Sequence, residues 1–238
     1  MPRVKPAAPD FDLAAALAGV DIDRGKAIGP QIYDALRLRI VDGRLPGGAP
    51  IHESDIAALC FVSRTPLRAA LQQLASEGLI VTRPQVGSTV APRDRGRFLE
   101  ALFVRAAIER EIARRLAERG LDETALRPIM MRQEAAARID DYASFFDADE
   151  DFHALLAQMA AVPSAWHLVQ SVKTHVDRER FILMSSIRGR SERAYGDHLR
   201  ILAAIRAGDG ERAAAEMAAH VESVLRSRDP ATEDAEAV

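Results

Sequence analysis

Apolar residues recur at three- and four-residue steps through most of this chain, and the exceptions fall close together. Ile32, Leu36 and Ile40 share one face of a helix predicted from about Gly29 to Asp42-Gly43, where the turn-rich LPGGAP follows. Ile51-His52-Glu53 reads as a short extended lead-in. Ile56, Ala57 and Leu59 give a second helix, from about Ser54 to Cys60, its apolar face, and Cys60, Phe61 and Val62 break the period. Ser63 stands where its hydroxyl can accept an orphan backbone N–H and cap a third helix, Arg64 to Ser76. Pro66 falls in that first turn, where a missing N–H costs little. Leu67, Ala70, Leu71 and Leu74 lie at helical spacing and face inward, and Glu77-Gly78 ends the helix. LIVTR and STVAP, with PQVG between them, then read as two strands of a hairpin.

From Asp94 onward the strand pattern disappears. Helical stretches are predicted over 94–119, 122–140, 143–160, 163–184, 190–207 and 210–227, separated by Gly120, Asp141-Tyr142, Val162-Pro163, Arg188-Gly189 and Gly208-Asp209-Gly210. The fold class is therefore mainly α: an N-terminal winged helix-turn-helix over 29–93, three helices plus a β-hairpin, followed by an all-α antiparallel helix bundle over 94–229. Residues 1–28, with early prolines and then FDLAAALAGVDIDRGK, read as a mobile N-terminal arm carrying one helical patch at Leu13, Ala16 and Leu17. Residues 230–238 read as a disordered tail.

Composition narrows the class. Of 238 residues 48% are hydrophobic but only 5% aromatic, a balance that suits alanine-rich helices. One cysteine excludes an intramolecular disulfide framework and suits a reducing compartment. No apolar run approaches the roughly 18–20 residues of a membrane span, and the N-terminus has no signal-like apolar core, so a soluble cytoplasmic protein with no membrane partner is expected. The net charge of −3 becomes informative once divided: residues 29–93 carry seven arginines against five acids, and residues 94–238 carry 21 basic against 26 acidic residues. A slightly basic small module beside an acidic larger one fits DNA contact by the first.

Two groups of residues carry candidate chemistry. Arg64, Thr65, Arg68 and Gln72 lie near the exposed start of the third helix, suited to phosphates and base edges in a major groove; the plainer alternative is an αα-hairpin with a solvated basic face. For Arg37 and Arg39, phosphate contact and a solvated helix face are equal readings. In the bundle, Asp149 and His153 are four apart on one helix face, with His198 and His220 on later helices. Three imidazoles and one carboxylate, if they converge inside a bundle, are a candidate divalent-metal site; the plainer alternative is that each histidine is a surface or hydrogen-bonded residue. His52, His167 and His175 read as ordinary surface or hydrogen-bonded histidines. Arg105 sits on the apolar stripe of FLEALFVRAAIERE, either in an internal salt bridge with Glu109 or as a clamp for a carboxylate ligand.

The strings IYDALRLRIVDGRLPGG, VSRTPLRAALQQLASEGLI and RPQVGSTV, over about residues 29–92, resemble the GntR family of bacterial transcription regulators. That resemblance implies DNA contact through Ser63, Arg64, Thr65 and Arg68, with Gly87 near the wing tip. Two departures bear on base preference: Val86 stands where relatives often have a basic residue, and Ser54 where an arginine often helps to read the operator. DADEDFHALLAQMA, GDHLRILAAIRAGDGERA and EMAAHVESVL resemble the FCD effector domain of the FadR subfamily, and the six-helix count is similar to its VanR-type branch. In metal-containing relatives the ligands are one Asp and three His, which implies Asp149, His153, His198 and His220, with Glu150 the competing carboxylate. Imidazole-rich ligation suits Zn²⁺, Ni²⁺ or a similar transition metal. Relatives usually carry an Asn in the turn after the third bundle helix, where this chain reads MAAVPSAW. The resemblance further implies effector contact by Arg105, a homodimer on double-stranded operator DNA, and a small carboxylate-type effector that releases a repressor. The rival readings are a metal-dependent enzyme built on the bundle and a purely structural metal site.

Overall fold

The computed structural model describes residues 11–83, 87–185 and 187–227. The chain divides into two compact units, Met1–Asp94 and Arg95–Val238. The first contains α1 (Leu13–Ala16), α2 (Ile28–Val41), β1 (Pro50–Ile51), α3 (Glu53–Leu59), α4 (Arg64–Ser76), β2 (Ile80–Arg83) and β3 (Gly87–Val90). Together they form the winged helix-turn-helix that the pattern predicts. Ile32, Leu36 and Ile40 of α2, Ile56 of α3, and Leu67 and Leu74 of α4 meet in one core, closed by Leu79 and Val90. The helical spacing of these residues is the reason the three helices pack: each carries one apolar stripe, and only a shared centre removes all three from water.

The sheet runs β1-β3-β2, all antiparallel, with Val81 opposite Thr89 and Ile51 opposite Ser88. The hairpin is thus joined by a third, two-residue strand at Pro50–Ile51, which the sequence shows only as an extended lead-in. Pro50 fits there because an edge strand tolerates a residue with no N–H. The expected arm also contributes to this unit: Ala16 and Leu17 are buried in its core, and the Asp12 carboxylate caps α1 by accepting from the Ala14 and Ala15 amides at 2.9 and 3.1 Å. Arg39 departs from both readings offered for it. It is buried, donates to the Ala18 carbonyl at 2.8 Å and pairs with Asp42 at 3.4 Å, so the segment before α2 covers it and it faces neither solvent nor phosphate.

Among the described residues the second unit holds six α-helices: α5 (Arg95–Arg119), α6 (Glu123–Arg138), α7 (Tyr142–Met159), α8 (Pro163–Ser185), α9 (Arg190–Arg206) and α10 (Gly210–Val221). The last predicted helix, 210–227, is shorter as an α-helix; it tightens into a 3₁₀ helix over Glu222–Ser227. Asp122, Asp141 and Asp209 cap α6, α7 and α10 with side-chain oxygens that accept first-turn amides, each cap contributing about 1 kcal/mol. The buried face of α7 carries Phe145, Asp149, Phe152, His153 and Leu156, so two polar residues ride inside an otherwise apolar stripe. α10 packs on α5 and α9, and α6 on α7 and α9, which brings the inner faces of α5, α6, α7, α9 and α10 around one centre. Among the described residues no helix is long and apolar enough to cross a membrane.

Candidate functional site

Asp149 and His153 of α7, His198 of α9 and His220 of α10 meet at that centre. All four are buried, and one ligand atom from each lies within 4.8 Å of the others. Asp149 Oδ1 is 3.4 Å from His198 Nε2 and 3.8 Å from His153 Nε2, and the Nε2 atoms of His198 and His220 are 3.2 Å apart. Glu150, the competing carboxylate, is drawn to Lys173 at 2.6 Å and takes no part. His52, His167 and His175 are likewise absent from the cluster.

Each imidazole is held from behind by a second group. His153 Nδ1 lies 2.5 Å from Glu109 Oε2, off the line of a standard hydrogen bond but too close for two lone pairs. Burial opposes ionisation of Glu109, yet Arg105 and then His153 outweigh it and bring the carboxyl down to about 2. An ionised Glu109 therefore requires the His153 proton on Nδ1. His198 Nδ1 is 2.8 Å from Gln133 Oε1, while Gln133 Nε2 donates to the Ala148 carbonyl at 3.1 Å. That donation turns the amide oxygen toward the ring, so His198 Nδ1 is the donor. His220 Nδ1 lies 3.3 Å from Asp197 Oδ2.

With all three protons directed outward, three Nε2 lone pairs and Asp149 Oδ1 face one another among buried side chains. Burial, and for His198 the neighbouring His220, push both imidazoles below the usual histidine range, so they stay neutral ligands. Burial also works against Asp149, but Arg180 and the three imidazoles hold its carboxyl well below the usual range. Asp149 Oδ1 and His153 Nε2 have no hydrogen-bond partner. Converging lone pairs repel unless a cation lies between them, and neutral imidazoles oriented by outer carboxylates and amides are what a divalent ion requires. The Asp and His cluster can therefore chelate such an ion.

Beside the cluster is a cavity of about 440 Å³ whose lining includes His220, Arg105 and Arg180. Arg105 is 1% exposed and makes the salt bridge with Glu109, Nε to Oε1 at 2.5 Å. Its Nη2 nevertheless has no acceptor, so the two readings of this residue are compatible. Arg180 donates to Asp149 Oδ2 at 2.8 Å, and its buried Nη1 is also unsatisfied. The sequence reading missed Arg180, Gln133 and Asp197. Gln133 alone left a trace: it lies seven residues after the buried Leu126, on the same stripe of α6.

In the first unit, Ser63, Arg64, Thr65 and Arg68 are exposed together along the start of α4, as is Gly87 at the start of β3. Ser63 occupies the N-cap with extended backbone, but its hydroxyl makes no capping hydrogen bond, contrary to expectation. Arg64 has no ion pair among the described residues, whereas Arg68 Nε donates to Glu53 Oε2 at 2.8 Å. Ser54 is exposed and donates to its neighbour Asp55 at 2.9 Å. Val86 lies outside the described residues.

The comparisons with known proteins agree with both halves. Residues 29–90 match the bacterial regulatory proteins of the gntR family, and residues 100–223 match the FCD domain. The chain is 32% identical over 202 residues to the HTH-type transcriptional repressor RspR of Escherichia coli K12, covering 84% of this chain and 88% of that one. It is 30% identical over 179 residues to the gluconate operon transcriptional repressor of Bacillus subtilis 168, covering 73% and 71%. Its fold is similar to that of E. coli McbR/YncC, with TM-score 0.72 at 18% identity over 83% of this chain and 95% of that one. It is similar also to that of a GntR-type regulator from Rhodococcus sp. RHA1, with TM-score 0.70 at 21% identity over 86% and 100%. A winged helix-turn-helix joined to a helical bundle that gathers Asp149, His153, His198 and His220 thus belongs to the GntR family of DNA-binding transcriptional regulators, with an FCD domain as its second part.

Proposed function

We propose that this chain is a homodimeric, cytoplasmic repressor of the FadR subfamily, VanR-like in its six-helix bundle, whose hold on operator DNA is set by a small organic acid bound beside a divalent metal ion. In this reading residues 29–93 bind DNA, 94–229 bind metal and effector, and 1–28 and 230–238 are accessory. Asp149, His153, His198 and His220 hold the metal, Zn²⁺ or a similar transition ion. The observation that carries the reading is the convergence of three buried imidazoles, each with its Nδ1 against an outer polar side chain, on an unsatisfied Asp149 oxygen. When bound, the ion supplies a Lewis-acidic centre that attracts a carboxylate.

The chain's own residues do the rest. Arg105 Nη2 and Arg180 Nη1 offer buried donors to an anion in the cavity, worth more there than in water. Ser63, Arg64, Thr65 and Arg68 enter a major groove, with Gly87 at the wing. A dimer sets two such helices on the half-sites of a near-palindromic operator. The effector acts by binding more tightly to the dimer that cannot span both half-sites than to the one that can. The repressor names of the E. coli and B. subtilis relatives support the sign.

The test is the double variant His198→Ala plus His220→Ala. Elemental analysis of the purified chain should show stoichiometric metal in the wild type and almost none in the variant. On a duplex selected in vitro for binding, the variant should keep operator affinity and lose its response to organic acids. Intact metal content in the variant would remove the ligand set.

A further inference from the structure

The cavity beside the cluster is lined by five guanidinium groups, Arg105, Arg180, Arg190, Arg193 and Arg200, against one acid, Asp197. Three of the five are already answered. Arg105 pairs with Glu109 at 2.5 Å and Arg180 with Asp149 at 2.8 Å. Arg200 pairs with Asp197 and, at 3.2 Å, with Glu216. The other two are not. Arg190 donates to the Ser223 carbonyl and hydroxyl at 3.0 and 3.3 Å, neutral acceptors, and Arg193 has no ion pair among the described residues.

A divalent ion on the cluster would add two positive charges, and Asp149, its one carboxylate ligand, is shared with Arg180. The filled site is then cationic well beyond what one carboxylate neutralises. Clustered like charges that converge on one partly enclosed cavity repel, and a ligand of opposite charge relieves that repulsion. Burial, then the neighbouring Arg193 and Arg180 cations, push the Arg190 guanidinium below its ordinary range, which is the same repulsion seen at one residue.

We propose that the effector is a small polyanion, carrying one anionic group for the metal, Arg105 and Arg180 and a second for Arg190 and Arg193. This rests on the reading of the cavity as the effector site, and narrows it from carboxylates in general to dicarboxylates or acids that also carry a phosphate. A volume of about 440 Å³ has room for a molecule of that size. Arg190 and Arg193 lie three apart on the first turn of α9, so their side chains share one helix face. They therefore act as a pair, and the second group sets selectivity while the first sets attachment to the metal.

The experiment is calorimetric titration of the full, Zn²⁺-loaded chain with butyrate, succinate and 3-phosphoglycerate, at fixed ionic strength. At least one of the two polyanions should bind on the order of tenfold more tightly than butyrate. Which of succinate and 3-phosphoglycerate binds tighter tells whether the second position takes the single charge of a carboxylate or the larger charge of a phosphate. Arg193→Ala, at an exposed position, should bring the tight polyanion down to butyrate-like affinity without changing zinc content, and Arg190→Gln should do the same. Arg193→Lys should retain part of the preference. Butyrate binding as tightly as both polyanions would overturn the inference while leaving the effector site in place, as would a polyanion preference that survives both substitutions. Failure of all three acids to bind would overturn the effector site and this inference together.

Discussion

Ala161 turns left-handed, with φ 59°, immediately after α7. Its amide and that of Val162 close the helix by donating to Gln158 and Ala157 at 2.9 and 3.0 Å. The left-handed region costs an L-residue about 1–2 kcal/mol unless a short polar side chain, such as that of Asn, or no side chain relieves it. Ala161→Asn should therefore stabilise the bundle by ~0.5–1 kcal/mol, read as a rise of roughly 1–4 °C in the calorimetric midpoint. An unchanged or lowered midpoint would show that the turn is not strained. Phe61 adopts the same conformation, φ 53°, at the corner between α3 and α4. Its break in periodicity was legible in the sequence; the left-handed turn behind the break was not. The fate of Arg39 was hidden for a different reason. A helix wheel shows which face an arginine occupies, but only the packed chain shows that the Ala18 carbonyl accepts from it.

At the level of elements, α4 was legible almost to the residue, because Pro66 and Gly78 mark its first turn and its end and Leu67, Ala70, Leu71 and Leu74 mark its face, while Ser63 takes the N-cap position without making the expected cap. The same helix carries the DNA prediction. Arg64 is exposed without an ion pair, while Arg68 must leave Glu53 before it can meet a phosphate. Arg64→Ala should weaken operator binding by about 1–3 kcal/mol, measured by fluorescence anisotropy at matched salt. Unchanged affinity would take α4 out of the groove. The short β1 strand and the 3₁₀ end after α10 were less legible. A two-residue strand has no period to detect, and a 3₁₀ turn differs from an α turn only in which carbonyl accepts.

For the whole molecule the central quantity is the cost of leaving three lone pairs and Asp149 Oδ1 together. A metal at about 100 times its dissociation constant contributes ~2.7 kcal/mol to stability by mass action. Stripping it with a chelator should lower the midpoint of the bundle by roughly 5–10 °C, and zinc should restore it; scanning calorimetry with and without chelator decides this. An insensitive midpoint would mean that the cluster holds no ion of consequence. The sequence by itself determined the order of elements, the two-part division between a slightly basic and an acidic part, and the shared helix face of Asp149 and His153, while His198 and His220 joined them only through the family resemblance. It could do so because helical period, capping residues and an i, i+4 pair are local properties. Only the tertiary structure decided what stands behind and beside those residues. Glu109, Gln133 and Asp197 orient the imidazoles, and Arg180, Arg190 and Arg193 join Arg105 along one cavity. These partners come from four different helices, and no local pattern ties an arginine on one helix to a carboxylate or a ligand held by another. That cavity's charge is set by which guanidiniums find carboxylates when the helices pack, and it is this balance that points to a polyanionic effector.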